Sequence, residues 1–239
     1  LDADQSAAVL TGELRRERPF VFIRYGDGAL ECIFRGRGHT CDGEEYSTEL
    51  GNALMNGWKS LMAGVNGGRT VYVGDWRSAS FSGPDDQSRY EKEYQWLIGK
   101  AEPKWLHFEA LLLMRESSAL FEFYRAVKED SRRKLYMGPA SHAKAAKMMG
   151  AAHLVTPMGG LFRQWTSLQE KLFDLQFDVL LYGAGMAGSL PVISCWDLFP
   201  DRTYINLGSA FDPLCLERKT RRQQVSPVRA RAFFAGLEG

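Results

Sequence analysis

The sequence predicts an α/β protein with a Rossmann-like, mostly parallel sheet and helices on both faces, folded as a single domain. Short β-rich runs alternate with helical patterns through nearly all of the 239 residues, the rhythm of strand–helix–strand units. The strands run into glycine-rich or polar turns, where an open parallel sheet gathers its ligands. A hydrophobic content of 45%, with 12% aromatics, is ample for a packed core and argues against disorder.

In chain order, strands are expected at 20–25, 70–74, 134–138, 153–156, 178–182 and 203–207, each rich in β-branched or aromatic residues. Helical spacing marks 48–62, 88–100, 117–128, 142–149, 161–175 and 186–198. Residues 105–114 suit either state. Loops are expected at 64–68, 78–87 and 157–160, and an irregular insertion at about 76–130.

Thirty basic against 29 acidic residues give a net charge of +1, which supplies no field for nucleic acid or an anionic membrane surface. The last 23 residues are the local exception. Arg218, Lys219, Arg221, Arg222, Arg229 and Arg231 against Glu217 and Glu238 leave that tail at +4, read as solvated and partly mobile. Cys32, Cys41, Cys195 and Cys215 show no C-x-x-C pair and no zinc-like spacing, as expected of reduced thiols in the cytoplasm. The uncharged run 179–196 is broken by Gly183, Gly185, Gly188 and Pro191, which fits a strand, a turn and a helix better than a membrane span.

Two motifs carry most of the chemistry. In "DVLLYGAGMAGSL" (178–190), a strand meets Gly183, Gly185 and Gly188 in G-x-G-x-x-G spacing, followed by Ser189. Such glycines let backbone approach a pyrophosphate at a helix N-terminus. A nicotinamide-dependent oxidoreductase is one reading, but the acid expected about 20 residues on to hold the ribose is replaced by Asn206. Tight helix-against-sheet packing is the other. In "RYGDG" (24–28), alternation puts Arg24 on the face of Phe20 and Phe22, while Gly26 and Gly28 flank Asp27. Arg24 and Asp27 suit a structural ion pair. They equally suit a phosphate held by the guanidinium, with Asp27 capping the next helix or holding a divalent cation.

Lesser signals follow. "CDGEEYS" (41–47) places Asp42, Glu44 and Glu45 together and reads as an acidic turn with Ser47 as helix cap, although it is also an acceptable cation loop. Ser141, His142 and Lys144 stand where a strand gives way to a helix and suit phosphate, sugar or capping. His39 reads as a loop residue. No Ser/His/Asp or Cys/His spacing singles out a hydrolase.

With these residues in hand, "IRYGDGALECI" resembles the R-[FY]-G-D-G-E motif of the bacterial glycosyltransferases of the GT-D fold. "DVLLYGAGMAGSLPVISCWDLFPDRTYINLGSAFD" is similar in order to that family's later strand, glycine turn, helix and final strand with an I-G-H-x-D-like ending. The resemblance implies transfer of a sugar from a nucleotide-diphosphate donor, a UDP-sugar being favoured, to a glycan or other glycosylated acceptor. It also implies a divalent cation, Mn²⁺ or Mg²⁺, near the motif carboxylates. Asp27 would face the metal or diphosphate, Arg24 would be the motif arginine, and the turn from Gly183 to Ser189 would face the nucleotide. Asp212 would match the late acid. Two positions depart from the pattern: Ala29 replaces the motif glutamate and Ser209 the late histidine. Glu31, one helical turn after Asp27, is the expected substitute as a metal ligand. Glycosyl transfer also needs a base, for which Asp75, Glu109 and Asp212 are the candidates. A nucleotide-sugar-binding module without catalysis is the non-enzymatic alternative.

Overall fold

Among the described residues, seven parallel strands form one sheet: β1 (Val21–Ile23), β2 (Val71–Asp75), β3 (Lys104–His107), β4 (Lys134–Pro139), β5 (Ala152–Thr156), β6 (Val179–Tyr182) and β7 (Thr203–Asn206). Their order is β3-β2-β1-β7-β6-β4-β5, with every neighbouring pair parallel. This is a computed structural model, which describes all residues except 41–42, 80–83, 114–115, 218–224 and 239. The basic side chains Arg218, Lys219, Arg221 and Arg222, and the acidic-turn residues Cys41 and Asp42, lie outside the described residues.

The helices are α1 (Ala3–Arg15), α2 (Asp27–Arg35), α3 (Thr48–Asn66), α4 (Pro84–Ile98), α5 (Ser118–Glu129), α6 (Ala143–Met148), α7 (Trp165–Asp174), α8 (Ser189–Trp196), α9 (Asp212–Cys215) and α10 (Pro227–Glu238). Alternation along the strands sorts them into two cores. Val21 and Ile23 of β1 point into the core built with α2, α3, α4, α7 and α8, while Phe20 and Phe22 point into the core of α1, α5, α6, α9 and α10. In the first core, buried Trp58 packs its ring against Tyr25 at 4.7 Å and Tyr94 at 5.1 Å. In the second, Phe211 lies 5.3 Å from Tyr124 and stacks on Phe234 at 5.1 Å. Each such fully buried aromatic contributes roughly 1.5–3 kcal/mol of transfer free energy.

All six expected strands form, with β1 shorter than the run 20–25 suggests. The ambiguous stretch resolves into a four-residue edge strand, after which Leu111 and Leu113 bury under the sheet without continuing it. Residues 76–130 contain α4, β3 and α5, so much of the expected insertion belongs to the regular layers. Ser47 caps α3 by accepting from the Leu50 N–H at 3.1 Å. The tail is corrected beyond its middle: residues 227–238 form α10, whose Ala230, Phe234 and Leu237 are buried. Apolar spacing there outweighs the arginines on its exposed side. Burial pushes the free thiols of Cys195 and Cys215 up, to about 12 and about 11. Among the described residues no helix is long and apolar enough to cross a membrane.

Candidate functional site

A parallel sheet delivers the carboxyl ends of all its strands to one edge, and along that edge runs a cleft of about 790 Å³. Its walls come from the turns after β1, β6 and β7, with Pro139 at the end of β4, His142 beyond it, Phe108 beyond β3 and Pro157 beyond β5. Because β7 lies between β1 and β6, the two motifs read from opposite ends of the chain face each other.

Arg24 lines this cleft but is only 7% exposed. Its guanidinium donates to the Phe108 carbonyl at 2.8 Å and the Leu207 carbonyl at 2.9 Å, and lies over the Phe108 ring. It thus braces the ends of β1, β3 and β7 while holding a fixed positive charge in the cleft wall. Neighbouring backbone must make room. A Cβ at Gly208 would fall 2.1 Å from Arg24 Nη2, and φ is +54° there. Among the described residues the Arg24 guanidinium is directed to the Phe108 and Leu207 carbonyls rather than to Asp27, so the ion-pair reading is set aside.

Asp27 is not the cap of α2: Gly26 holds the cap position and Asp27 is the first helical residue. Its carboxylate accepts from the Gly28 N–H at 2.9 Å, stays exposed and lines the cleft near the positive end of α2. Glu31, one turn on, is committed elsewhere. Its oxygens pair with Arg35 at 3.1 Å and Arg89 at 2.7 Å and accept from the Tyr90 hydroxyl at 2.9 Å. Burial and this carboxylate together push the Tyr90 phenol upward. Ala29 is in the core at 3% exposure. Among the described residues no group of three His, Cys, Asp or Glu side chains converges as a metal site. The donor set therefore does not fit a cation held by Asp27 and Glu31; Asp27 alone remains disposed toward one.

The G-x-G-x-x-G turn has its own packing reasons. A Cβ at Gly183 would meet the Gly208 carbonyl at 2.9 Å and Tyr136 Oη at 3.0 Å, and one at Gly188 would meet the Ala184 carbonyl at 3.0 Å. Gly185 has φ +64°, which closes the turn and delays α8 to Ser189, three residues later than expected. Gly183, Gly185 and Ser189 line the cleft, whereas Gly188 is turned into the packing behind it. Asn206 donates to the Arg24 carbonyl at 3.2 Å and accepts from the Gly208 N–H at 2.8 Å. Its amide ties β7 to β1 and is occupied at both ends, so it does not stand in for a ribose-binding acid.

The three base candidates separate. The Asp75 carboxylate accepts from the Arg77 guanidinium at 2.9–3.1 Å and caps the following 3-10 turn, outside the cleft wall. Glu109 is wholly buried and also outside it. Asp212, the first residue of α9, lines the cleft beside His142 and Ser209. Ser141 and Lys144 are exposed beyond the lining residues. Sequence reasoning passed over Tyr136, an aromatic in a strand that reads as ordinary core, and Phe108, which supplies both a ring and a carbonyl to Arg24.

Fold and cleft together define a parallel α/β protein whose cleft lies where strand order reverses. Neither a protein-family model nor a curated protein matches the sequence. Among solved structures, the chain is similar to the highly conserved domain of unknown function 1792, described as having a distinct glycosyltransferase fold. The TM-score is 0.55 at 13% identity, over 87% of this chain and 82% of that one. At that identity the likeness is one of fold: the chain has a glycosyltransferase-type α/β architecture.

Proposed function

We propose that the protein is a glycosyltransferase that moves a sugar from a nucleotide-diphosphate donor, with a UDP-sugar favoured, to a hydroxyl on a glycan or glycosylated polymer. The observation that carries this reading is the meeting of Arg24, Asp27 and Asp212 in one cleft at the β1–β7 junction of a glycosyltransferase-type fold. In the reaction, the bond from the sugar carbon to the diphosphate oxygen breaks with its electrons on the leaving group. Arg24 and the positive end of α2 suit that developing charge. The turn at Gly183, Gly185 and Ser189 would face the nucleotide, and Asp212 would take the acceptor's proton. No step is routed through a cation, because Glu31 is held by Arg35, Arg89 and Tyr90.

The oxidoreductase reading loses its support, since packing accounts for Gly183 and Gly188 and Asn206 is occupied. The commitment of Glu31 and the alanine at 29 favour one second reading, a nucleotide-sugar-binding module without catalysis. Thermal-shift measurements with UDP, GDP, UDP-sugars and NAD, each with and without Mn²⁺, separate these readings. Stabilisation by a nucleotide or its sugar conjugate is expected. Stabilisation by NAD alone would overturn the proposal, and binding without transfer or donor hydrolysis would favour the module.

A further inference from the structure

Two neighbouring glutamates of the acidic turn at 41–47 meet opposite fates. Glu45 is exposed and pairs with the exposed Arg163. Glu44 is only 5% exposed. Among its contacts, the carboxylate accepts from the Leu161 N–H at 2.8 Å and the Phe162 N–H at 3.2 Å. A carboxylate leaves water only where other donors replace the water. Here the donors stand at the start of the 3-10 turn Phe162–Gln164, which runs into α7. The cap position of that turn is held by Leu161, whose side chain has no acceptor to offer. The missing acceptor comes instead from a residue 117 positions earlier, at the positive end of the helical segment.

The segments that Glu44 joins both border the cleft. Residues 38–40 and 43–46 pair antiparallel, the Tyr46 N–H donating to the Gly38 carbonyl at 3.0 Å and the Thr40 N–H to the Glu44 carbonyl at 2.9 Å. The Glu44 N–H donates to Thr40 Oγ1 at 3.0 Å. These paired runs seat on the start of α2, where a Cβ at Gly28 would fall 3.0 Å from Thr40 Cγ2 and 3.4 Å from Tyr46 Oη. Thr40 and Tyr46 line the cleft. On the other side, residues 157–160 connect β5 to Leu161. Pairing of Thr156 with Pro139 fixes the first end of that loop, and Glu44 fixes the second. Pro157 and Met158, between the two anchors, also line the cleft. One buried carboxylate therefore fastens the runs seated beside Asp27 to the loop after β5.

We infer that Glu44 is a positioning residue that sets the donor-binding wall of the cleft. The inference rests on the glycosyl-transfer reading. Thr40, Tyr46, Pro157 and Met158 carry no charge and offer hydroxyls, a ring and apolar atoms. That is the chemistry for the uncharged parts of a nucleotide sugar, its base and sugar rings, while the diphosphate suits Arg24. Glu44 lies outside the lining and does not touch the donor. It acts by holding two loops in place beforehand, so that donor binding need not order them. Its loss therefore falls on donor binding rather than on bond breaking. Glu45 joins the same two segments from the solvent side, where an ion pair contributes little.

The test has two arms on the full chain. Amide hydrogen exchange of the free protein reads the fastening directly. In Glu44→Ala the Leu161 and Phe162 amides should exchange at least about tenfold faster, while those of β4 and β6 keep their rates. Unchanged rates at 161 and 162 would overturn the inference whatever the protein binds. In the second arm, turnover is measured with the UDP-sugar that gives the largest thermal shift. Glu44→Ala should raise donor KM about tenfold with kcat within about threefold, and Glu44→Gln, which keeps one acceptor oxygen, should recover part of that loss. Glu45→Gln should leave donor KM within about twofold. A fall in kcat at unchanged KM in Glu44→Ala, or an equal rise of KM in Glu45→Gln, would overturn the positioning role. Should Glu44→Ala not fold, Glu44→Gln is read in both arms, with smaller shifts of the same sign expected and no shift in either overturning the inference. If the unmodified chain binds no nucleotide sugar, the transfer reading and the donor wall fall together, and amide exchange alone decides whether Glu44 fastens the two segments.

Discussion

Arg24 and Gly208 fit each other so closely that neither position is independent. A methyl at 208 would need a left-handed backbone and the space now held by the guanidinium. Gly208→Ala should therefore cost more than about 1 kcal/mol, measured by urea unfolding. In the Arg24→Ala background the same change should cost less, because only the backbone strain remains; a fully additive cycle would show that the two residues do not press on each other. Asp27 is the opposite case, exposed and, among the described residues, hydrogen-bonded to its neighbour's N–H. Asp27→Ala should leave stability within about 0.5 kcal/mol while lowering transfer at least 100-fold, roughly 3 kcal/mol of transition-state stabilisation. An active variant would remove the turn after β1 from the chemistry. The roles of these two residues were only half legible in the sequence. Alternation placed Arg24 on its face, but its partners are carbonyls from distant strands, which no local pattern encodes. Glu31 lay at the right helical spacing from Asp27, yet its commitment to Arg89 and Tyr90 depends on where α4 lies.

At the level of the elements, the strands were readable because each is a short run with β-branched, aliphatic or aromatic residues, and the helices between them follow apolar spacing. The C-terminal segment was misread because charge dominated its composition, whereas three buried residues dominate its energetics. Phe234→Ala should cost about 3–5 kcal/mol by opening a cavity beside Tyr124 and Phe211, a loss visible in thermal or denaturant unfolding. A surface-like value would place α10 outside the core. Pairing at the strand starts gives a pH effect. Arg133, where β4 begins, donates to Asp178, just before β6, and holds its carboxyl down at about 2. A depressed carboxyl stabilises above its unfolded value, about 3.9, and that stability is lost as pH falls toward 2. Asp178→Asn should flatten this part of the denaturation midpoint's pH dependence. An equally steep fall in the variant would assign acid sensitivity to other carboxylates.

Across the whole molecule, strand order decides what the cleft contains. It brings the turns after β1, β6 and β7 together and leaves Asp75, at the end of β2, facing Arg77 outside the wall. The fold class was legible from alternation, and turn chemistry pointed to the carboxyl edge along which the cleft runs. The choice among carboxylates was not, because it depends on tertiary neighbours. Charge compensation in the cleft leads to a prediction for the intact protein. With Glu31 neutralised by two guanidiniums, chelator treatment should lower donor turnover less than tenfold. A 100-fold loss restored by Mn²⁺ would show that Asp27 and the donor's phosphates suffice to hold a cation.

The position of β7 also bears on how the chain is made. As the last strand to emerge, it fills the gap between β1 and β6. Until residues 203–206 arrive, two apolar strands present unpaired N–H and carbonyl rows to one another's vacancy. A chain interrupted before that point would expose two adhesive edges as well as half a site, so premature termination should yield aggregates rather than a smaller soluble protein.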